Sequence, residues 1–455
     1  DRATRPSGPS YREQVSTAPS PTPSEPRQVV PGPVPDPVPL DEPVGGIPEV
    51  VADLGALDAA VDRLARGQGP VAVDAERASG YRYGQRAYLI QFHRAGAGTV
   101  LIDPVPLVDI DGPAALSGLA GVLSDVEWIL HAASQDLPCL AELGLRPRTL
   151  FDTELAARLA GYPRVGLGPL VEHVLGRRLA KEHSAADWST RPLPASWLRY
   201  AALDVQVLPP LREALERELA RQGKLDWARE EFAAQVTAPP PPPRVDPWRR
   251  MSGLHQLRKR RQLAAARELW EARDRLARAQ DVSPGRLLPD SAIIAAALAL
   301  PADAAELAGL AGFTGRGAHR HLATWVRAVQ RARALPERAL PPLGRPTGAL
   351  PPAHAWPRRH PEAAVRLREL RAAVGAVAAA YAVPVENLLR PDTVRQLAWD
   401  PPAADETVVA DFLRAHEARS WQVALTAQPL AEALARLAAQ PADGYRADAE
   451  KVRLT

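Results

Sequence analysis

VAVDAE, residues 71–76, is a run of small and β-branched residues that ends in acid-x-acid. Such a run reads as a buried strand, and side chains two apart on a strand point the same way. Asp74 and Glu76 are therefore expected to project from one face into one site. Two like charges buried together are costly unless neutralised, and hard divalent cations such as magnesium or manganese are the common partners of clustered carboxylates. The strand thus predicts further oxygen ligands elsewhere in the chain.

Working outward, LGALDAAVDRLARG at 54–67 has the period of a short helix, and strand-like runs follow at 70–75, 87–93, 99–102 and 128–132. The second and third of these runs meet across the glycine-rich AGAG, a hairpin signal. Helical periodicity then takes over through 136–144, 152–160, 168–175 and 195–222. Strands followed by alternating helix and strand predict a mixed α/β sheet with helices packed on its faces.

Two stretches in this region offer the missing ligands. HAASQDLP places Asp136 just after an apolar strand, at a helix start where an acid is commonly only a cap. WLRYAALDV places Tyr200 and Asp204 four apart, hence on one helical face. Neither pattern is specific alone, but their order and local structure, taken with Asp74 and Glu76, are. His131 and His183 are not expected as metal ligands, because hard cations prefer oxygen; His131, at a strand end, reads as a packed or hydrogen-bonding histidine, with substrate contact as the alternative. Asp152 and Glu154 repeat acid-x-acid on a helical pattern, where they do not share a face, and are expected at a helix N-terminus. Tyr81, Tyr83 and Tyr88 alternate with Arg82 and Arg86, which suits base stacking or an ordinary solvated hairpin surface. Cys139 is expected in the core.

VDAE, HAASQD and YAALD resemble the three motifs of the DEDDy group of 3′–5′ exonucleases. SGYRYGQRAYLIQ, LFDTELAARL and LPASWLRYAALDVQVLPPL are similar to ribonuclease D over about 47–220. The resemblance implies a ribonuclease H-like sheet, two divalent cations (Mg2+ or Mn2+) held by Asp74, Glu76, Asp136 and Asp204, and hydrolysis from a free 3′ end. Tyr200 would orient the attacking water, since a hydroxyl with an ordinary pKa near 10 is a poor base. The expected products are nucleoside 5′-monophosphates. The expected substrates are 3′-extended structured RNAs such as tRNA precursors. A DNA-directed 3′–5′ exonuclease and a non-catalytic nucleic-acid-binding scaffold are the alternatives.

The remainder reads as accessory modules. Residues 1–46 are rich in Pro, Ser and Thr and are expected to be a disordered tail. The exonuclease domain is placed at 47–222 and a proline-rich linker at 223–248, with five prolines at 239–243. Two all-α domains of HRDC type, similar to those that follow the catalytic domain of ribonuclease D, are placed at 249–335 and 360–440, separated by a linker at 336–359 and followed by a tail at 441–455. Val282, Leu287, Leu288, Pro289 and Asp290 in the first recur as Val383, Leu388, Leu389, Pro391 and Asp392 in the second, which suggests a duplicated module.

Charge is divided between the parts. Residues 47–220 hold 17 basic and 22 acidic side chains, whereas 248–335 hold 16 basic and 7 acidic, an excess that favours a polyanionic partner. Arg258, Lys259, Arg260 and Arg261 are the leading candidates for phosphate contact, with Arg249, Arg250 and Arg267 nearby. A second basic group, Arg316, His319, Arg320, His321 and Arg327, follows GLAGFTGRG. The single cysteine excludes an intramolecular disulfide and a cysteine-based zinc finger. Neither a spanning helix nor a signal peptide is expected, so the chain reads as cytoplasmic.

Overall fold

The structure is a computed structural model that describes residues 36–180, 183, 185–240, 242–344 and 350–439. The strands in chain order are β1 (Val38–Leu40), β2 (Val50–Val51), β3 (Gln68–Arg77), β4 (Ala87–Ala95), β5 (Gly98–Ile102), β6 (Glu127–Leu130), β7 (Thr149–Asp152) and β8 (Arg177–Leu179). Six form one sheet in the order β2-β5-β4-β3-β6-β7. β3, β4 and β5 are antiparallel neighbours, while β6 and β7 continue the sheet parallel to β3.

Alternation along β3 sorts its residues by face. Val71, Val73 and Ala75 enter the main core with Leu57 and Leu64 of α1 (Leu54–Ala65). Ala72, Asp74 and Glu76 face the other way. The next helices are α2 (Pro104–Asp111), α3 (Ser117–Leu123), α4 (Leu137–Glu142), α5 (Thr153–Leu159) and α6 (Leu167–Leu175). The apolar stretch Pro104–Leu123 has the length and composition of a membrane span. It is broken between α2 and α3 by a 3-10 turn, and its Leu107, Leu116, Leu119 and Leu123 are wholly buried in the main core.

The predicted 195–222 helix is two: α7 (Ala195–Gln206) and α8 (Leu208–Arg221), broken where Pro209 and Pro210 open the second. α7 lies across the acidic face of the sheet. Its Ala201 packs with Leu89, Leu101 and Trp188, and its Val205 with Ala72 and Ile129.

The expected boundaries shift in three places. The part of the predicted tail from residue 36 onward is not disordered: Val38–Leu40 pairs in parallel with Arg177–Leu179. Residues 1–35 and 441–455 lie outside the described residues. The predicted linker contains α9 (Leu225–Thr237), whose buried Phe232 packs on Phe151 of β7 at 4.9 Å between ring centroids. This helix covers the β7 edge and belongs to the exonuclease body. In the predicted 336–359 linker, Trp356 is wholly buried and enters a core.

The two helical bundles follow one plan. The first has α10 (Arg260–Gln280), α11 (Pro284–Leu287), α12 (Asp290–Ala299), α13 (Ala304–Ala308), α14 (Arg316–Arg320) and α15 (Leu322–Ala334). The second opens with α16 (Trp356–Arg359). There follow α17 (Pro361–Ala380), α18 (Val385–Leu388), α19 (Pro391–Trp399), α20 (Glu406–Ala415) and α21 (Ser420–Ala438). In each, a long helix is followed by a single turn, a helix of medium length and a closing long helix. Their cores differ in connection. The first bundle has its own core around Leu269, Phe313 and Trp325. The second shares one continuous core with the exonuclease sheet. Trp421 of α21 stacks on Trp227 of α9 at 5.0 Å and donates to the Glu231 carboxylate at 3.1 Å.

Candidate active site

β3 and α7 bring three of the predicted acids together. Carboxylate oxygens of Asp74, Glu76 and Asp204 lie within 4.8 Å of one another. All three are held above the ordinary carboxylate range, first by burial; charge repulsion from Asp74 and Asp204 adds to this at Glu76, and from Asp74 at Asp204. The Tyr200 hydroxyl hydrogen-bonds the Asp204 carboxylate, and burial followed by the charge of Asp204 raises its pKa. Tyr200 is thereby kept a neutral donor. Beside Tyr200 and Asp204 a cavity of about 220 Å3 opens, lined also by Ser196, Arg199 and Leu203.

Asp136 stands at the margin of this group. It occupies the N-cap position of α4, but its side chain caps nothing. Burial, then the charge of Asp74, pushes its carboxyl up to about 8, while Arg77 approaches it at 3.5 Å. The turn that delivers it is anchored by Asp152. That carboxylate accepts from the backbone N–H groups of Ala132 and Ala133, both at 3.0 Å, and from Gln235 at 2.9 Å. It also caps α5 through Glu154 N and Leu155 N, so the helix N-terminus predicted for the 152–154 pair is present and carries a second duty.

His131 and Cys139 sit as expected. His131 hydrogen-bonds Thr153 Oγ1 at 2.9 Å, and burial lowers its pKa. Cys139 is buried, with its thiol pushed up to about 12 by burial.

Two residues that the sequence reading passed over lie close to this group in the fold. Arg191 grips Asp103 through two hydrogen bonds of 2.6 and 2.8 Å and donates to the carbonyls of Trp188 and Tyr88, each at 2.8 Å. This fixes the segment before α7 to the sheet. Gln91 pairs across from Asp74 in the β3–β4 register, wholly buried, and neither amide atom has a hydrogen-bond partner. No motif marks either residue, because their roles depend on register and on contacts far along the chain.

The basic run divides. Arg258 and Lys259 are exposed. Arg260 and Arg261 do not serve as free phosphate contacts. Arg260 donates to the carbonyls of Leu340 at 2.5 Å and Pro341 at 3.3 Å. Arg261 donates to those of Ala332, Arg333 and Leu335 at 2.7–3.1 Å and pairs with Glu337 at 2.9 Å. The Arg261 guanidinium satisfies orphan carbonyls that end α15, and that of Arg260 ties down the segment after it. Arg249 is likewise engaged, with Asp246 and the Pro342 carbonyl. In the second basic group, His319, Arg320 and Arg327 are exposed.

The tyrosines after β3 neither stack freely nor form a plain solvated surface. Tyr88 is buried, and Tyr83 donates to Asp274 of α10 at 2.9 Å, so the loop docks on the first helical bundle.

Comparison with known proteins agrees with this geometry. The family model described as 3′-5′ exonuclease matches residues 48–220. The HRDC domain model matches 262–329, and one described as 3′ to 5′ exonuclease C-terminal domain matches 349–434. Ribonuclease D of Acidiphilium cryptum is 35% identical over 320 residues, 67% of this chain and 78% of that protein. A solved structure of a protein from Bifidobacterium adolescentis has a TM-score of 0.80 at 39% identity, covering 88% of this chain and 100% of that one. Escherichia coli RNase D, described as an exoribonuclease involved in structured RNA processing, has a TM-score of 0.62 at 26% identity, covering 85% and 98%.

Proposed function

The chain belongs to the ribonuclease D family and is a 3′–5′ exoribonuclease, and on that premise we propose how its residues divide the work. The family implies use of a divalent metal, and the acidic cluster fits one: two buried carboxylates and the half-buried Asp74, within 4.8 Å of one another, carry a charge that nothing among the described residues fully offsets. Asp74, Glu76, Asp204 and, at the margin, Asp136 would hold two ions, magnesium or manganese. When bound, such a pair supplies a water of lowered pKa and charge stabilisation at the leaving 3′ oxygen.

The protein's own part is orientation. Asp74 and Glu76 are fixed on a central strand, where the backbone ladder leaves little freedom. Tyr200, a neutral donor pinned by Asp204, directs the attacking water toward phosphorus. The cavity beside Tyr200 receives the terminal nucleoside. The bond from phosphorus to the 3′ oxygen of the preceding nucleotide breaks, releasing a nucleoside 5′-monophosphate and leaving a new 3′ hydroxyl for the next cycle. Arg77 faces the fourth carboxylate, Asp136, at 3.5 Å, and a cation held there would compete with it.

The RNA substrates are 3′-extended structured precursors, tRNA among them. The likeness to Escherichia coli RNase D, an exoribonuclease involved in structured RNA processing, supports this, as does the basic first bundle, where Arg258, Lys259, Arg320 and Arg327 remain exposed. The cytoplasm, where such precursors lie, is the proposed compartment. The observation that carries the mechanism is the convergence of three acids and Tyr200 from a strand and a helix distant in sequence. Turnover in 18O-labelled water tests it. One label in the phosphate of each released monophosphate is expected, and unlabelled product would refute attack of water on phosphorus.

A further inference from the structure

The loop between β3 and β4, residues 79–86, leaves the strand that carries Asp74 and Glu76. It is polar and contains two glycines, so alone it has little to order it. Tyr81 N and Arg82 N turn back on Ala78 O, and further backbone groups of the loop bond the first helical bundle. Ser283 N donates to Tyr81 O at 2.9 Å, and Arg286 Nε donates to Gly80 O at 3.0 Å. The Asp281 carboxylate accepts from Tyr83 N at 3.2 Å and Gly84 N at 3.4 Å. The Tyr83 hydroxyl donates to Asp274 at 2.9 Å, and the Arg286 guanidinium lies 4.1 Å over the Tyr81 ring.

The other side of the same loop reaches the site. Arg82 Nε donates to Ser189 Oγ at 2.8 Å, next to Trp188. Trp188 is wholly buried, with its ring centroid 6.4 Å from that of Tyr200. Tyr81 and Tyr200 pack against the same small core as Trp188. The contacts therefore run from the helical bundle through the loop to the ring of the catalytic tyrosine.

We propose that Asp281 and Tyr83 are positioning residues: the first helical bundle, by clamping the 79–86 loop, holds Tyr200 in register with the acids. The bundle then sets the chemical rate even on RNA too short to be gripped by it. This rests on the role given to Tyr200 above. A bundle that only tethers RNA would leave the rate on short substrates untouched.

The test uses the full chain with manganese and a single-stranded trinucleotide RNA. Asp281 has φ 47, so Asp281→Gly removes the acceptor without straining the backbone, and Asp281→Asn keeps both acceptor and conformation. Asp281→Gly is expected to lower kcat by about tenfold with little change in KM, as small misplacements of a reacting group do. Asp281→Asn should restore the rate. Adding Asp281→Gly to Tyr200→Phe should cost little beyond Tyr200→Phe alone, because both act on one group. If the glycine variant melts early, Tyr83→Phe gives a milder version of the same loss. A wild-type kcat for Asp281→Gly beside a slow Tyr200→Phe would overturn the proposal. A wild-type kcat for Tyr200→Phe would overturn the reading beneath it as well.

Discussion

Removing one acid of the cluster should stabilise this enzyme when metal is withheld. At the 4.8 Å that bounds the separations among Asp74, Glu76 and Asp204, two unit charges repel by about 3.5 kcal/mol at an effective dielectric near 20. Asp204 faces two such neighbours. Its carboxyl is held well above the usual range, so it binds a proton in the folded state that the unfolded chain has already lost. Stability therefore falls as pH rises from the ordinary carboxylate value through the raised one. Asp204→Asn removes that charge and keeps an acceptor for Tyr200. In EDTA at pH 8 the gain should be about 2–3 kcal/mol, part of the two repulsions, because the cluster already sheds some of the charge by protonation. For a domain of this size that raises the unfolding midpoint by roughly 5–10 °C. At pH 5 the gain should shrink, since the raised group holds its proton more at lower pH. With saturating manganese the order should reverse, because a bound cation stabilises the four-acid form by mass action. Thermal melts across these conditions decide it. An equal loss of stability for Asp204→Asn in EDTA at both pH values would refute a repulsive, cation-seeking cluster.

Other substitutions separate roles that the basic run hides. Arg261→Ala should cost about 1–3 kcal/mol by stripping donors from the end of α15, read in a thermal melt, with no change in the salt dependence of RNA binding. Arg258→Ala and Lys259→Ala should do the reverse, each reducing the slope of log affinity against log salt by about one. Gly161 has φ 84, and an added Cβ would lie 2.8 Å from Ala382 O of the second bundle. Gly161→Ala should therefore lower the melting temperature through at least about 1 kcal/mol of strain, and an unchanged midpoint would count against this seam. Because the second bundle shares a core with the sheet, deleting 245–455 would expose apolar surface. Point changes are the cleaner test of RNA grip.

The parts of the site legible in the sequence are those set by local periodicity. Acid-x-acid on a β-branched strand and Tyr200 four before Asp204 on a helix both follow from the geometry of one element. β7 went unread because Thr149–Asp152 is four residues long and merges into a helical pattern. The basic run misled for a different reason. Sequence displays which side chains are charged but not which carbonyls need a donor, and those Arg261 serves lie at least seventy residues onward. Tyr83 likewise gives no sign that its partner, Asp274, sits on another domain. Asp152 is expected at a helix N-terminus and is found there, yet its hold on the Ala132 turn depends on the β6–β7 pairing. Long-range polar contacts of this kind carry no period for a sequence reading to detect.

The most direct test of the central claim is a single-turnover assay on a 3′-extended tRNA labelled at its 5′ end, with magnesium, with manganese and with chelator, wild type beside Asp204→Ala. A metal-dependent ladder that shortens one nucleotide at a time from the 3′ end, and is abolished by Asp204→Ala, is the predicted result. Tight binding without shortening under either metal, or shortening that survives Asp204→Ala, would contradict it.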